Sequence, residues 1–178
     1  MRWIALLLLL LHAAVLGPHT LAAQAPAGLS GTVVVLNKRG NDASFVDLAS
    51  GEIVATAPTG VGPHELLILG DGRTAVGTDY EGEVGSLTLL DVVSGTRTRT
   101  IDLSPYRRPH GIDALPGDSV VAVTVERDRA VLLVRLRDGA ILEAIDTRAE
   151  GSHMVAVPGD GRTLWTGDIG SNTVSQFD

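Results

Sequence analysis

From residue 32 onward the apolar residues alternate or cluster in stretches of five or six, and most stretches end at a turn rich in Gly, Asp or Ser. This pattern predicts short strands, because no segment beyond the first 23 residues repeats its apolar positions at the helical period over a useful length. The stretches also recur. Pro63-His64, Pro109-His110 and Ser152-His153 are each followed by an apolar run and then by Gly70-Asp71-Gly72, Pro116-Gly117-Asp118 or Gly159-Asp160-Gly161, seven residues from histidine to mid-turn. Fifteen residues after each histidine stand Asp79, Val125 and Asp168, each closing a second β-prone stretch; residues 33–37 match these with their own first strand missing. Further on, the corresponding positions Asp47, Asp91, Arg135 and Asp178 lie 44, 44 and 43 residues apart.

A period in the ~40–45-residue class, with four strands per unit, predicts an all-β chain folded as a β-propeller of four-stranded blades. In the second unit the strands are expected at about residues 65–69, 74–78, 86–91 and 96–103, joined by Asp71-Gly72 and Ser94-Gly95 turns, since these residues tolerate the positive φ of tight hairpins. Residues 66–69 and 131–134 are apolar on both faces, as expected of strands sandwiched between blades. Residues 96–100 are polar throughout and suit an exposed outer edge. The predicted layout is a blade at 32–61 lacking its first strand, whole blades at 62–107 and 108–150, and a blade at 151–178 lacking its last. Three, four, four and three strands make an arc of about three and a half blades. The expectation is a fragment of a ring of about seven, with a compact four-bladed closure as the alternative. The open faces of the end blades would favour self-association.

The first 23 residues have a different character. Met1-Arg2-Trp3 leads into an apolar run from Ile4 to Leu16, then Gly17-Pro18 and the small residues Ala22, Ala23 and Ala25. The run is shorter than the ~20 residues of a membrane span, so residues 1–23 are expected to be a secretory signal peptide and 24–31 a linker. An uncleaved anchor is the alternative. The expected location is periplasmic or secreted, with no stable membrane insertion after cleavage. Without Arg2 the exported part has 13 basic and 21 acidic residues, a net charge of −8. Such a surface argues against nucleic acid as a partner. The chain has no cysteine, which excludes disulfides, thiolate metal sites and a cysteine nucleophile.

The units resemble the YVTN family of β-propeller repeats found in secreted and periplasmic bacterial proteins and archaeal surface-layer proteins. The tetrapeptide is degenerate here, as Val34-Val35-Leu36-Asn37, Val76-Gly77-Thr78-Asp79, Ala122-Val123-Thr124-Val125 and Trp165-Thr166-Gly167-Asp168. Closer matches are Ser171-Asn172-Thr173-Val174-Ser175, Val46-Asp47 through Ser50-Gly51, and Gly60-Val61-Gly62-Pro63-His64. The Gly-His and Trp-Asp dipeptides of WD40 blades are absent at the required places. The resemblance implies an interaction scaffold with an unknown protein or small-molecule ligand, and no catalytic residue is assigned. The alternative is a lactonase-like hydrolase or metal-dependent oxidoreductase with its site on the central channel.

Three groups of residues carry candidate chemistry. His64, His110 and His153 hold one position in successive units and are expected around the channel mouth, where converging imidazoles suit a transition metal; the competing expectation is that Pro-His belongs to the blade consensus. Asp79 and Asp168, with Asn37, share another position near Glu65, Asp113 and Glu126, as channel acids or, more simply, strand-end caps. The loop holding Tyr80, Glu81 and Glu83 is longer than its counterparts, and Tyr106, Arg107 and Arg108 form a second extension. Such loops often carry a binding surface. The pairs Arg97/Arg99, Arg127/Arg129 and Arg135/Arg137 are expected to share strand faces as solvated edges. No Gly-x-Ser-x-Gly, Ser-x-x-Lys or phosphate-binding Gly-Lys signature is present.

Overall fold

The computed structural model describes residues 28–178, so the signal segment at 1–23 and half of the linker fall outside the described residues. Among the described residues, fourteen antiparallel strands form four sheets. The first sheet is β1 (Thr32–Asn37), β2 (Asp42–Asp47) and β3 (Ile53–Pro58). The second is β4 (Pro63–Ile68), β5 (Thr74–Asp79), β6 (Ser86–Asp91) and β7 (Thr96–Asp102). The third is β8 (Pro109–Ala114), β9 (Val120–Val125), β10 (Ala130–Arg135) and β11 (Ala140–Asp146). The fourth is β12 (Ser152–Ala156), β13 (Leu164–Asp168) and β14 (Thr173–Phe177). Each sheet is one blade, and the count of three, four, four and three agrees with the sequence. No helix among the described residues is long and apolar enough to cross a membrane.

Local chemistry makes the hairpins. Asp71 accepts hydrogen bonds from the backbone N–H groups of Arg73 and Thr74 and from the Thr74 hydroxyl, and Gly72 takes a φ of +64° in the same turn. Asp91 does the same for Val93 and Ser94. The middle strands β5, β6, β9 and β10 carry the core, with Val76, Leu87, Val123 and Leu132 all fully buried between the second and third blades. Phe45, Ala57 and Leu90 join the first blade to the second, and Ala122, Val131, Val155 and Leu164 join the third to the fourth.

Two expectations need correction. The 66–69 run is covered on both faces, with Leu66 packed on the cluster between the first and second blades and Leu67 and Leu69 on that between the second and third, but its strand is the innermost of the blade, an edge rather than a central strand, and Ile68 is 45% exposed. Arg127 and Arg129 share no strand face, because they stand in the turn between β9 and β10, and Arg135 and Arg137 share none either, because Arg135 ends β10 and Arg137 stands in the turn after it. The outer strand at 96–100 is largely exposed as expected, although Arg99 donates across the blade interface to the carbonyls of Leu136 and Arg137.

The polar residues that end the second strands of the first, second and fourth blades bond mainly to side chains of the neighbouring strand rather than capping local backbone. The Asn37 amide donates to Ser44, and the Ser86 and Ser175 hydroxyls donate to Asp79 and Asp168, always seven residues along. Asp79 also accepts from Thr88 and from the N–H of Gly60. Burial nevertheless pushes the Asp79 carboxyl above its usual range, against the hydrogen bonds that lower it. In the third blade both positions are apolar, Val125 and Leu132, and both are fully buried. A polar pair has been exchanged as a unit for an apolar one, which leaves no buried donor or acceptor unpaired.

Candidate metal centre and its surroundings

Each inner strand pairs irregularly with its neighbour at one place, between Pro63 and Leu66, between Pro109 and Ile112, and between Ser152 and Met154. His64, His110 and His153 stand in these irregularities, where a bulge re-aims a side chain out of the regular ladder. The result is a stack of imidazoles along the blades. His64 and His110 have ring centroids 4.2 Å apart and His110 and His153 3.7 Å apart, with interplanar angles of 48° and 34°.

A threonine fixes each step of this stack. The Thr78 hydroxyl accepts the N–H of Glu65 in its own blade and donates to the carbonyl of His110 in the next. The Thr124 hydroxyl likewise accepts the N–H of Gly111 and donates to the carbonyl of His153, at 2.8 Å in both cases. Both threonines are fully buried. Thr124→Val keeps the shape and strips the hydroxyl, leaving a buried N–H and a buried carbonyl without their partner. Chemical denaturation should show a loss of about 2 kcal/mol, and His153 ring resonances should shift.

Gly111 sets the tightest approach. A Cβ there would meet the backbone of His153, Met154 and Val155 at 2.7 Å, so only glycine lets β8 and β12 come close enough for their histidines to stack.

The residue after each second strand completes the site: Lys38, Tyr80 and Glu126. The Tyr80 hydroxyl donates to Oε2 of Glu126 at 2.6 Å, and Oε1 of Glu126 bonds Nδ1 of His153. The Tyr80 ring lies 5.1 Å from that of His64 and 5.6 Å, edge-on, from that of His110. Lys38 Nζ sits 4.7 Å from the Tyr80 ring centroid. Nδ1 of His64 is 3.5 Å from Glu65. Two sets of metal-competent groups therefore share His110: His64, Glu65 and His110, and His110, Glu126 and His153, each with ligand atoms within 4.8 Å of one another.

The electrostatics keep the stack's centre neutral. Burial, followed by the neighbouring rings of His153 and His64, pushes the His110 pKa down from 6.5 to about 4. Burial acts to raise the Glu126 carboxyl, but hydrogen bonds from Tyr80 and His153 leave it below its usual value. Burial, and then Glu126, push the Tyr80 hydroxyl up. For His110 the native state favours the neutral ring. Its contribution to stability is therefore present above pH 6.5 and lost as the pH falls toward about 4. Urea unfolding of metal-free protein across that window should weaken on acidification, and His110→Gln should flatten the dependence.

The second candidate group divides. Tyr80, Glu81, Arg107 and Arg108 come together around one cleft with Gly82 and Arg127. Glu83 is exposed and does not line this cleft, and Tyr106 packs against the core between the second and third blades. Thr78, Thr124 and Gly111 were not singled out by sequence reasoning, and Arg127 was expected on a solvated strand edge rather than in a cleft. Only the threonines had a signal, as neighbours of Asp79 and Val125 in the degenerate tetrapeptide.

With this geometry established, known structures give the architecture. Hydrazine synthase of Kuenenia stuttgartiensis superposes with a TM-score of 0.72 at 21% identity, covering 83% of this chain and 42% of that one. The WD40 β-propeller domain of Doa1 gives 0.68 at 17% identity, covering 83% and 46%. The fold is a β-propeller. At these identities the likeness shows the fold alone, and the chain spans less than half the length of either structure. Neither a protein-family model nor a curated protein matches the chain.

Proposed function

We propose that this chain belongs to an exported YVTN-type β-propeller that acts as a binding module rather than a catalyst, and that His64, His110 and His153 take a divalent transition-metal ion. One observation carries the metal reading: Nδ1 of His110, a residue only 2% exposed, is buried without a hydrogen-bond partner in the middle of the imidazole stack. Interiors rarely leave such an atom unpaired without a role for it. A neutral imidazole presents a lone pair to zinc, copper or nickel, the metals that imidazole suits. Glu126 supports the same reading, since a carboxylate on one ring nitrogen of His153 fixes its orientation and leaves the other nitrogen to a metal. The signal-like segment at 1–23 and the repeat resemblance support export and a scaffold role.

The second reading, a lactonase-like hydrolase or metal-dependent oxidoreductase, rests on the hydrogen-bond chain from Tyr80 through Glu126 to His153, which is able to pass a proton beside the histidines. The test is metal analysis of full-length protein purified without a polyhistidine tag, followed by zinc and copper titration of the chelated sample. Stoichiometric metal is the expected result. Protein that carries no metal and takes up none would overturn the reading.

A further inference from the structure

We infer that the cleft beside Tyr80 binds a small oxyanion, a carboxylate or phosphate group. The cleft holds about 260 Å³ and is lined by Tyr80, Glu81, Gly82, Arg107, Arg108 and Arg127. Three arginines and one acid line it in a chain whose net charge is −7, so this cleft runs against the charge of the rest of the molecule. The single acid is also engaged, because Lys38 lies 3.6 Å from Glu81.

The arginines differ in what they have left to offer. Arg107 pairs with Asp128 at 3.0 Å through Nη2, and its own N–H reaches the same carboxylate at 2.6 Å. Its Nε is buried with no partner. Arg108 and Arg127 form no ion pair among the described residues. Arg108 lies over the Tyr80 ring, 5.5 Å from its centroid. Planar guanidinium donors match the oxygens of a carboxylate or phosphate in two-point geometry.

Arg108 carries a second, independent mark. It precedes the Pro-His pair of its blade, where the neighbouring blades place Gly62 and Gly151. The carbonyls of Gly62, Arg108 and Gly151 accept hydrogen bonds from Tyr80, Glu126 and Ile169, which confirms the equivalence. All three take a left-handed φ, +62°, +55° and +63°. Glycine adopts that conformation freely and arginine does not. The third blade thus keeps a strained side chain where its neighbours have none, and that side chain lines the cleft.

This goes beyond the metal reading, since the anion is held by guanidinium groups and binds with or without an ion on the histidines. The experiment is calorimetric titration of the chelated full chain at low salt with inorganic phosphate in one arm and malonate in the other, separating a phosphate ligand from a carboxylate one. At least one should bind and should be released by added salt. Arg108→Gly and Arg127→Gln should each weaken binding about tenfold, the effect of losing one charge-assisted hydrogen bond. Arg108→Gly should melt no lower than the parent, because it restores the residue the repeat favours. Failure of both anions to bind, or unchanged affinity in Arg108→Gly and Arg127→Gln, would overturn the inference.

Discussion

Replacing His110 with alanine should abolish stoichiometric zinc binding, a loss of at least about a hundredfold in affinity, while Glu126→Gln should cost about tenfold. The difference in size follows from their positions. His110 belongs to both candidate ligand sets and has the unpartnered nitrogen between its neighbours. Glu126 touches the stack through His153 and acts by orienting that ring. Alanine at 110 also removes a buried ring packed against His64, Tyr80 and His153 and should destabilise the fold, so thermal melts of the metal-free variants are the control. His64→Ala gives the same test at a partly exposed position, where loss of folding is not expected. Zinc affinity unchanged in all three variants would show that the imidazoles are stacked for packing alone.

Gly111→Ala should have the largest effect on the fold for its size. The added methyl group has no space, since the backbone of three residues in β12 already stands at 2.7 Å from its position. A side chain end could swing aside, but hydrogen-bonded backbone cannot. Denaturation should show a loss of about 3 kcal/mol, the upper end of what overpacking costs. Because the same approach brings His110 and His153 into contact, zinc affinity should fall as well. A Gly85→Ala control tests the geometry: there the Cβ would meet the ring of Pro109 at 2.5 Å. That substitution should also destabilise, with less effect on the metal because it does not lie between two histidine-bearing strands.

Much of the fold was legible because its signals are local. The Asp71-Gly72 turn and the polar outer strand at 96–100 each depend on residues within a few positions of one another, and the 44-residue period repeats those signals until the blades can be counted. The convergence of His64, His110 and His153 was legible for the same reason, since equal positions in a repeat become neighbours around an axis. The rest of the site is made between blades by residues that play unequal parts. Nothing near Tyr80 in the chain points to Glu126, forty-six residues away, and nothing near Gly111 shows that the backbone of Met154 will lie against it. Arg127 reads as a surface residue until the loop of Tyr80 and Glu81 closes the cleft around it. The inner strand at 66–69 misled in one respect only: an apolar run does not say whether its strand is central or at the edge of the sheet.

The three interfaces between blades are not equal, and this bears on how the segment comes apart. The one between the second and third blades holds the broadest apolar cluster, from Val76 and Leu87 to Val123 and Leu132, and the tie from Thr78 to His110, whereas the tie from Thr124 to His153 joins the third blade to the fourth. The first blade is joined mainly through Phe45 and its alanine neighbours. In a stacked array, stability is a sum over units and their nearest-neighbour contacts. Amide exchange should therefore be slowest in β5, β6, β9 and β10 and quicken toward β1 and β14 as the outer blades open first. A metal ion on the histidines would add a rivet across blades two, three and four, so their amides should slow together on loading while those of β1 to β3 keep their own pace.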